Sequence, residues 1–271
     1  MQRRAGVALQ AARLSGMVDR GELRAGAAAF VTDATFAALT ARDRTGRLWT
    51  SPLVGSPGFL TVGSPTSLLV GVGPHPHDPL HELAAGQPVG LIVMDFAARR
   101  RLRINGTLSA VHGGGLAVDV VQAYGNCPQY IHPRRPAPAA ERDGGARLVY
   151  RGEALRAEDV DQVQSSDTFF LGTTHPEYGN DTSHRGGPAG FVRADQHVLS
   201  WPDFPGNNMF NSLGNLAVDP SAALLFVDFA TGSALQLSGT AAVQWLDDER
   251  SVRFGVHDVV VSRLPRLRYD R

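Results

Sequence analysis

The sequence predicts a mainly β protein, built as two six-stranded Greek-key β-barrels in tandem with a few helices. Two observations lead to this prediction. The chain repeats itself at a spacing of about 133 residues, so that residues 89–111 match residues 222–244 and Asp95 falls on Asp228. Within each copy, short apolar runs are separated by Gly and Pro, as strands joined by turns require. The repeat is too long for a solenoid, so each copy is expected to be a domain.

Two further segments support the duplication. Residues 33–41 match residues 167–175, and a Gly-Phe pair follows seven residues after both Ser51 and Ser183. Each copy is therefore expected to have the same strand order. Six β-rich runs are predicted in the first copy, at 35–41, 47–53, 58–62, 67–72, 89–96 and 101–111.

Helices are expected to be few. One short helix is predicted in each copy, at 79–87 and at 210–219, and covers one opening of the barrel. Another is predicted at 152–167, ahead of the second copy. The predicted units are an N-terminal helical segment (1–29), a first barrel (30–135), a linker with a helix (136–164), and a second barrel with a C-terminal extension (165–271).

Composition excludes several classes of protein. The 271 residues include 26 basic and 26 acidic side chains, so no global field attracts nucleic acid or an anionic membrane. The single cysteine, Cys127, rules out an internal disulfide and Cys-rich metal sites. No apolar run is long enough for a membrane span, and charged residues interrupt the N-terminal segment before it could form a signal peptide. We expect a cytoplasmic protein.

Several stretches resemble one known superfamily. They are "DTFFLGTTHPEYGNDTSHRGGPAGFV", "WPDFPGNNMFNSLGNLAVDPSAALLFVDF", "LQLSGTA" and "AYGNCPQYIHPRR". Together they resemble the pyridoxamine-5′-phosphate-oxidase-like, FMN-binding split-barrel superfamily, in its branch with duplicated barrels. The resemblance implies six-stranded split barrels, FMN held noncovalently, and flavin at a barrel–barrel interface. A duplicated chain would then be a pseudo-dimer, either monomeric or a homodimer.

The stretch "SHRGG" has the chemistry that a phosphate needs. Arg185 can offer a bidentate fork to phosphate oxygens, with the Ser183 hydroxyl beside it. Gly186 and Gly187 allow a ligand to approach the backbone closely. His184 can donate a hydrogen bond to phosphate or flavin. The alternative is a polar turn before the next strand.

The stretch "WPDFPGNNMFNSLGNL" offers further contacts. Amides at a helix start form an anion site, and the polar side chains there are Asn207, Asn208, Asn211 and Ser212. The alternative is ordinary N-capping. Trp201 and Asp203 follow a strand and would form a wall of the site, although core packing is the usual role of a tryptophan.

The first copy carries arginines where the second does not. "RRRLR" (99–103) stands where the second copy has "GSALQ" (232–236), and "SPLVG" stands where the second copy has "SHRGG". Alternation along a strand places Arg101 and Arg103 on one face with Arg99, and Arg100 on the other. We therefore predict one composite cofactor site, to which both copies contribute. The alternative is a charged exterior face.

The function implied by the resemblance is an FMN-dependent oxidoreductase that transfers a hydride between flavin and a small organic substrate. His184 is the candidate acid–base residue, and NAD(P)H or a separate reductase would supply electrons. One alternative is a haem-binding or haem-degrading protein, for which the candidate axial ligands are His75, His77, His81 and His257. The others are a non-catalytic flavin-binding protein and a deazaflavin in place of FMN. No metal site is expected, because prolines interrupt the histidines of 74–81.

Overall fold

The computed structural model describes residues 21–137, 145–206, 210–246 and 249–270. Its main elements are two antiparallel sheets, one from each half of the chain. The strands of the first sheet are β1 (Phe36–Arg42), β2 (Leu48–Val54), β3 (Leu60–Ser64), β4 (Ser67–Val70), β5 (Pro88–Asp95), β6 (Arg100–His112) and β7 (Gly115–Gly125). Their order across the sheet is β2-β1-β5-β6-β7-β4-β3.

The second sheet repeats this order. Two strands precede it, β8 (Arg135–Pro136) and β9 (Arg147–Gly152). Its own strands are β10 (Thr168–His175), β11 (Gly179–Gly186), β12 (Arg193–Ala194), β13 (Val198–Pro202), β14 (Ser221–Asp228), β15 (Ser233–Leu246) and β16 (Glu249–Arg263). They are arranged as β11-β10-β14-β15-β16-β13-β12, with β9 added on β16. A last strand, β17 (Tyr269–Asp270), pairs with β8.

The register of the strands supports the duplication. Leu39 lies opposite Leu91 in the first sheet, and Leu171 lies opposite Leu224 in the second. Leu39 and Leu171 are 132 positions apart. The match of 33–41 with 167–175 was therefore two residues out of register, because the apolar residues of a strand recur every second position and hide such a slip.

A β-bulge recurs at the same place in both sheets. It precedes Gly106 where β6 pairs with β7, and Gly239 where β15 pairs with β16. A Cβ added at either glycine would lie within about 2 Å of a carbonyl oxygen on the neighbouring strand (2.1 Å and 2.0 Å). Glycine is therefore required where the chain bends the long hairpin of each copy.

The mainly β fold class is confirmed, but each sheet has seven strands and not six. The strand missed in the first copy is β7, which follows a tight turn at Gly113 and Gly114. Both glycines have positive φ (58° and 84°), as a two-residue hairpin turn requires. Its counterpart β16 begins after the last residue of the predicted repeat.

The described residues contain three helices. They are α1 (Ala25–Asp33), α2 (Ala157–Ser165) and α3 (Asn211–Leu216). The helices predicted near 152–167 and 210–219 are confirmed, whereas 79–87 forms turns and no helix. Most of the predicted N-terminal helix, residues 1–20, lies outside the described residues. No helix in the described part of the chain is long and apolar enough to cross a membrane.

The two sheets pack on each other through aromatic side chains. Phe36 contacts Phe170 with ring centroids 5.1 Å apart, and Phe96 contacts Phe229 at the same separation. Phe96 and Phe229 directly follow Asp95 and Asp228, so they are equivalent residues of the repeat. Contact between equivalent residues is expected at a twofold axis, and here it marks a pseudo-twofold axis within one chain.

Candidate functional site

A cleft of about 140 Å³ lies between the two halves of the chain. The first half contributes β6, β7 and the loop after β7, while the second contributes β11, β13 and the start of α3. The structure thus brings together the arginine strand and the "SHRGG" strand. The predicted site residues that line the cleft are Arg101, Arg103, Ser183, His184, Arg185, Gly186, Trp201, Asp203, Asn211 and Ser212.

Three predicted site residues have no such placement. Asn207 and Asn208 lie outside the described residues. Gly187 does not line the cleft, and its carbonyl lies 2.9 Å from Nε2 of His132. Gly186 does line it, but a Cβ there would lie 2.1 Å from the carbonyl oxygen of Tyr130. Close packing of the protein therefore accounts for Gly186, which was expected to make room for a ligand.

Strand alternation places the arginines of β6 as predicted. Arg101 and Arg103 line the cleft, whereas Arg100 lies over the ring of Phe30, with 4.9 Å between Cζ and the ring centroid. Arg99 belongs to the turn before β6 and has a positive φ of 53°. Its guanidinium donates to the carbonyl of Pro128.

Arg103 is neutralised by a buried carboxylate. Its Nη1 lies 3.0 Å from Oδ1 of Asp181. Asp181 also accepts hydrogen bonds from Ser212 Oγ at 2.9 Å and from Asn105 Nδ2 at 3.3 Å. These bonds join the first half to the second, and they occupy the Ser212 hydroxyl that was predicted to contact a cofactor.

Arg101 has no carboxylate partner among the described residues. Its Nη2 donates to the carbonyl of Cys127 at 2.7 Å, and its Nη1 lies 2.8 Å from Nδ1 of His184. Its Nε is buried without a partner. Burial, together with the nearby charges of Arg103 and Arg185, lowers the pKa of Arg101 to about 10. Arg101 is still protonated at neutral pH, so its charge is uncompensated.

His184 is a buried, neutral imidazole. Burial, and next the Arg101 cation, lower its pKa well below its usual value. Because a guanidinium can only donate, Nδ1 accepts from Arg101 and the ring proton is on Nε2. Nε2 is buried without a partner in the described part of the chain. His184 therefore presents a donor, and its predicted catalytic role stays a prediction.

Arg185 shares a carboxylate with a second arginine. Its Nη1 lies 3.2 Å from Oδ1 of Asp203, and Nε of Arg250 lies 3.0 Å from Oδ2 of the same residue. Its Nε donates weakly to Ser183 Oγ at 3.3 Å. Burial lowers the pKa of Arg185, while Asp203 opposes this shift. The two cations and one anion leave one positive charge at this wall.

Tyr124 stands between the two halves at the cleft. Its hydroxyl oxygen accepts from Nη1 of Arg103 at 3.1 Å and from Nδ2 of Asn211 at 2.8 Å. Burial raises the pKa of Tyr124, against the lowering effect of the Arg103 cation. The phenol is therefore protonated at neutral pH.

Aromatic rings and strained backbone surround these polar groups. Tyr130 and Phe204 stack with centroids 5.5 Å apart, and Trp201 packs against Phe169 in the core as well as lining the cleft. Tyr130 and Phe210 both have positive φ, of 65° and 56°. Left-handed backbone is costly for such bulky residues and is often found at functional sites.

Five of the lining residues were missed from the sequence: Tyr124, Tyr130, Phe204, Phe210 and Arg250. Tyr124 and Tyr130 belong to the "AYGNCPQY" stretch, which resembles the superfamily but suggested no role for its residues. Arg250 lies beyond the repeat and has no counterpart in it. Only the fold places these residues beside the two predicted strands.

The pseudosymmetric position holds no comparable site. Register makes Leu53 the counterpart of Arg185, and Gln236 the counterpart of Arg103. Leu53 is 1% exposed and Gln236 is fully buried. The position is thus filled by protein side chains.

Gln236 belongs to a buried polar cluster. Its Nε2 donates to Ser51 Oγ at 3.0 Å and to Asp78 Oδ2 at 3.1 Å, and Ser51 Oγ donates to Asp78 Oδ1 at 2.5 Å. Burial raises the pKa of Asp78 to about 6. Nε2 of His75 lies 3.8 Å from Asp78, but burial lowers the pKa of His75 to about 4, so it is neutral at pH 7.

No group of side chains in the described ranges could hold a metal ion. The four histidines considered as axial haem ligands, at positions 75, 77, 81 and 257, do not line the cleft. His184 is the one imidazole among the described lining residues.

Comparison with known proteins found no matching family model and no matching curated protein. Solved structures do match. A putative pyridoxamine 5′-phosphate oxidase from Corynebacterium glutamicum is 11% identical, with 45% of this chain and 97% of that chain covered and a TM-score of 0.32. An FAD-binding protein from Mesorhizobium loti is 9% identical, with 43% and 96% covered and a TM-score of 0.31. HutZ, a haem storage protein from Vibrio cholerae, is 12% identical, with 36% and 86% covered and a TM-score of 0.29.

The resemblance stated from the sequence is confirmed in that pyridoxamine-phosphate-oxidase-type proteins are among these matches. Identities and TM-scores this low say nothing about activity. The fold rests on the strand order and register described above: the chain is a mainly β protein made of two copies of one split-barrel sheet.

Proposed function

We propose that the cleft binds FMN noncovalently, and that the protein is an FMN-dependent oxidoreductase acting on a small organic substrate by hydride transfer at the flavin. The observation that carries this proposal is the charge of the cleft. Four arginines (101, 103, 185 and 250) meet two aspartates (181 and 203), which leaves two positive charges. A phosphate monoester carries up to two negative charges at neutral pH.

The other groups of the cleft also fit a flavin phosphate. Buried polar atoms without a partner among the described residues include Nε of Arg101, Nε of Arg103 and Nε2 of His184, all of which can donate. Buried donors of this kind are costly unless a ligand supplies acceptors. The rings of Trp201 and Phe204 offer flat apolar surface, as the walls of cofactor sites commonly do.

In this proposal the protein binds and orients, and the cofactor supplies the redox chemistry. Arg101 and the Arg185–Asp203–Arg250 group hold the phosphate. His184 donates from Nε2, and the Tyr130–Phe204 stack closes one wall of the site and limits access of water. Electrons would come from NAD(P)H or from a separate reductase. Because both copies contribute to one site, the chain can act as a monomeric pseudo-dimer or within a homodimer.

A haem protein is the second candidate. One observation favours it: Nε2 of His184 is free in the cleft and could ligate iron if deprotonated. Against it, the uncompensated charge beside His184 at Arg101 would repel a metal cation. A non-catalytic flavin carrier and a deazaflavin protein share the flavin chemistry and differ from the main proposal in redox turnover and spectrum.

The absorption spectrum of the purified full-length protein tests the proposal. We expect the two-band spectrum of an oxidised flavin, either as purified or after addition of FMN. A Soret band would favour haem, and a spectrum without bound chromophore after both additions would reject a flavin and a haem together. Bleaching by NAD(P)H or by a chemical reductant, followed by reoxidation with substrate, would separate an enzyme from a carrier.

A further inference from the structure

The hydrogen bonds of Tyr124 leave its own proton unused. A phenol oxygen has two lone pairs and one hydrogen. Arg103 and Asn211 both donate to this oxygen, at 3.1 Å and 2.8 Å, so both lone pairs are occupied. No acceptor for the hydrogen is found among the described residues. Tyr124 is 4% exposed and lines the cleft, so an unmatched donor there calls for an acceptor from a ligand.

The charge around Tyr124 indicates the kind of acceptor. The neighbouring cation, Arg103, is already neutralised by Asp181 at 3.0 Å. This corner of the cleft therefore carries no net charge, in contrast to the corner at Arg101. A neutral donor in a charge-balanced corner suits a neutral acceptor, such as a carbonyl oxygen, better than it suits a phosphate oxygen.

We propose that the Tyr124 hydroxyl donates a hydrogen bond to a carbonyl oxygen of the flavin ring, and so is a ligand-contacting residue that fixes the orientation of the ring. This proposal rests on the proposed function, since it takes the ligand to be a flavin. Arg103 and Asn211 are its positioning residues, because they hold the phenol oxygen and direct its hydrogen into the cleft.

Riboflavin and FMN together test the proposal, because they share the ring and differ in the phosphate. In Tyr124→Phe we expect the affinities for FMN and for riboflavin to fall by the same factor, roughly tenfold, as the loss of one hydrogen bond implies. Arg101→Gln should instead weaken FMN far more than riboflavin. The control is Tyr150→Phe, which removes a hydroxyl that donates to the Ala154 carbonyl outside the cleft and should leave both affinities unchanged.

A second variant keeps the proposal testable if Tyr124→Phe does not fold. In Asn211→Asp the carboxylate can only accept, so it should capture the Tyr124 proton and weaken riboflavin, which has no phosphate to be repelled. Unchanged riboflavin affinity in the folded variants, or a loss confined to FMN in Tyr124→Phe, would overturn the proposal. If wild-type protein binds neither flavin, the proposed function itself fails, and that outcome is distinct from either result.

Discussion

Nη1 of Arg101 lies 2.8 Å from Nδ1 of His184, and this contact joins the arginine strand of one copy to the "SHRGG" strand of the other. In the repeat, these residues correspond to Ala234 and Pro52, which cannot make such a bond through their side chains. The contact shows how the two copies have diverged, because one site is built from both and its counterpart is filled. The predictions below follow from this asymmetry.

Arg101→Gln should weaken FMN binding by about 30-fold or more. It removes a partly buried cation that would lie near the phosphate, and such losses typically cost ~2–5 kcal/mol. The same change should raise the free energy of unfolding of the flavin-free protein, because it removes a buried charge without a carboxylate partner. Fluorescence titration with FMN and urea unfolding measure the two effects. A variant that loses both affinity and stability would show a merely structural role.

Arg185→Ala and Leu53→Ala form a matched pair, because the two residues are equivalent in the repeat. Arg185→Ala should weaken FMN by about tenfold or more, although Asp203 keeps Arg250 as a partner. Leu53→Ala should cost about 2–5 kcal/mol of stability, since Leu53 is fully packed in the first core. It should leave the FMN affinity of the folded protein nearly unchanged. Equal losses of affinity would mean that the copies have not specialised.

Asp203→Asn should strengthen FMN binding at low salt. The change releases the Arg185 and Arg250 guanidinia from their shared carboxylate and adds one positive charge to the cleft. The gain should be about fivefold, the weight of ~1 kcal/mol for a well-solvated pair at contact distance. It should shrink as salt is added, because salt screens charges. Isothermal titration at two salt concentrations checks this, and weaker binding at low salt would contradict the assigned role of Asp203.

Asp78 should make stability depend on pH. Its pKa is about 6 in the folded protein, above the ~3.9 of an unfolded chain, so the folded state binds the proton more tightly. The stabilising contribution is therefore complete below about pH 4 and is lost as pH rises through 6. Asp78→Asn should remove this slope, which is on the order of 2–3 kcal/mol. Urea unfolding from pH 4 to 8 measures it, with the exposed Asp119→Asn as control.

The sequence predicted the duplication and the meeting of two strands, because apolar periodicity and equivalent glycines survive in both copies. It also predicted that Arg101 and Arg103 share a face, which follows from strand alternation alone. Tertiary pairing was beyond it: the carboxylates that neutralise Arg103 and Arg185 lie on other elements, at positions 181 and 203. The helix expected at 79–87 failed for a local reason, since Asp78 caps Leu80 in a turn that needs no helix.

The central claim is that one cleft per chain binds FMN and recognises its phosphate. Titrating FMN and riboflavin separately into the flavin-free full-length protein, with binding followed by quenching of flavin fluorescence, tests it most directly. We predict saturation at one FMN per chain and an affinity for FMN at least tenfold above that for riboflavin. Two FMN per chain, or equal affinity for the two flavins, would contradict the account.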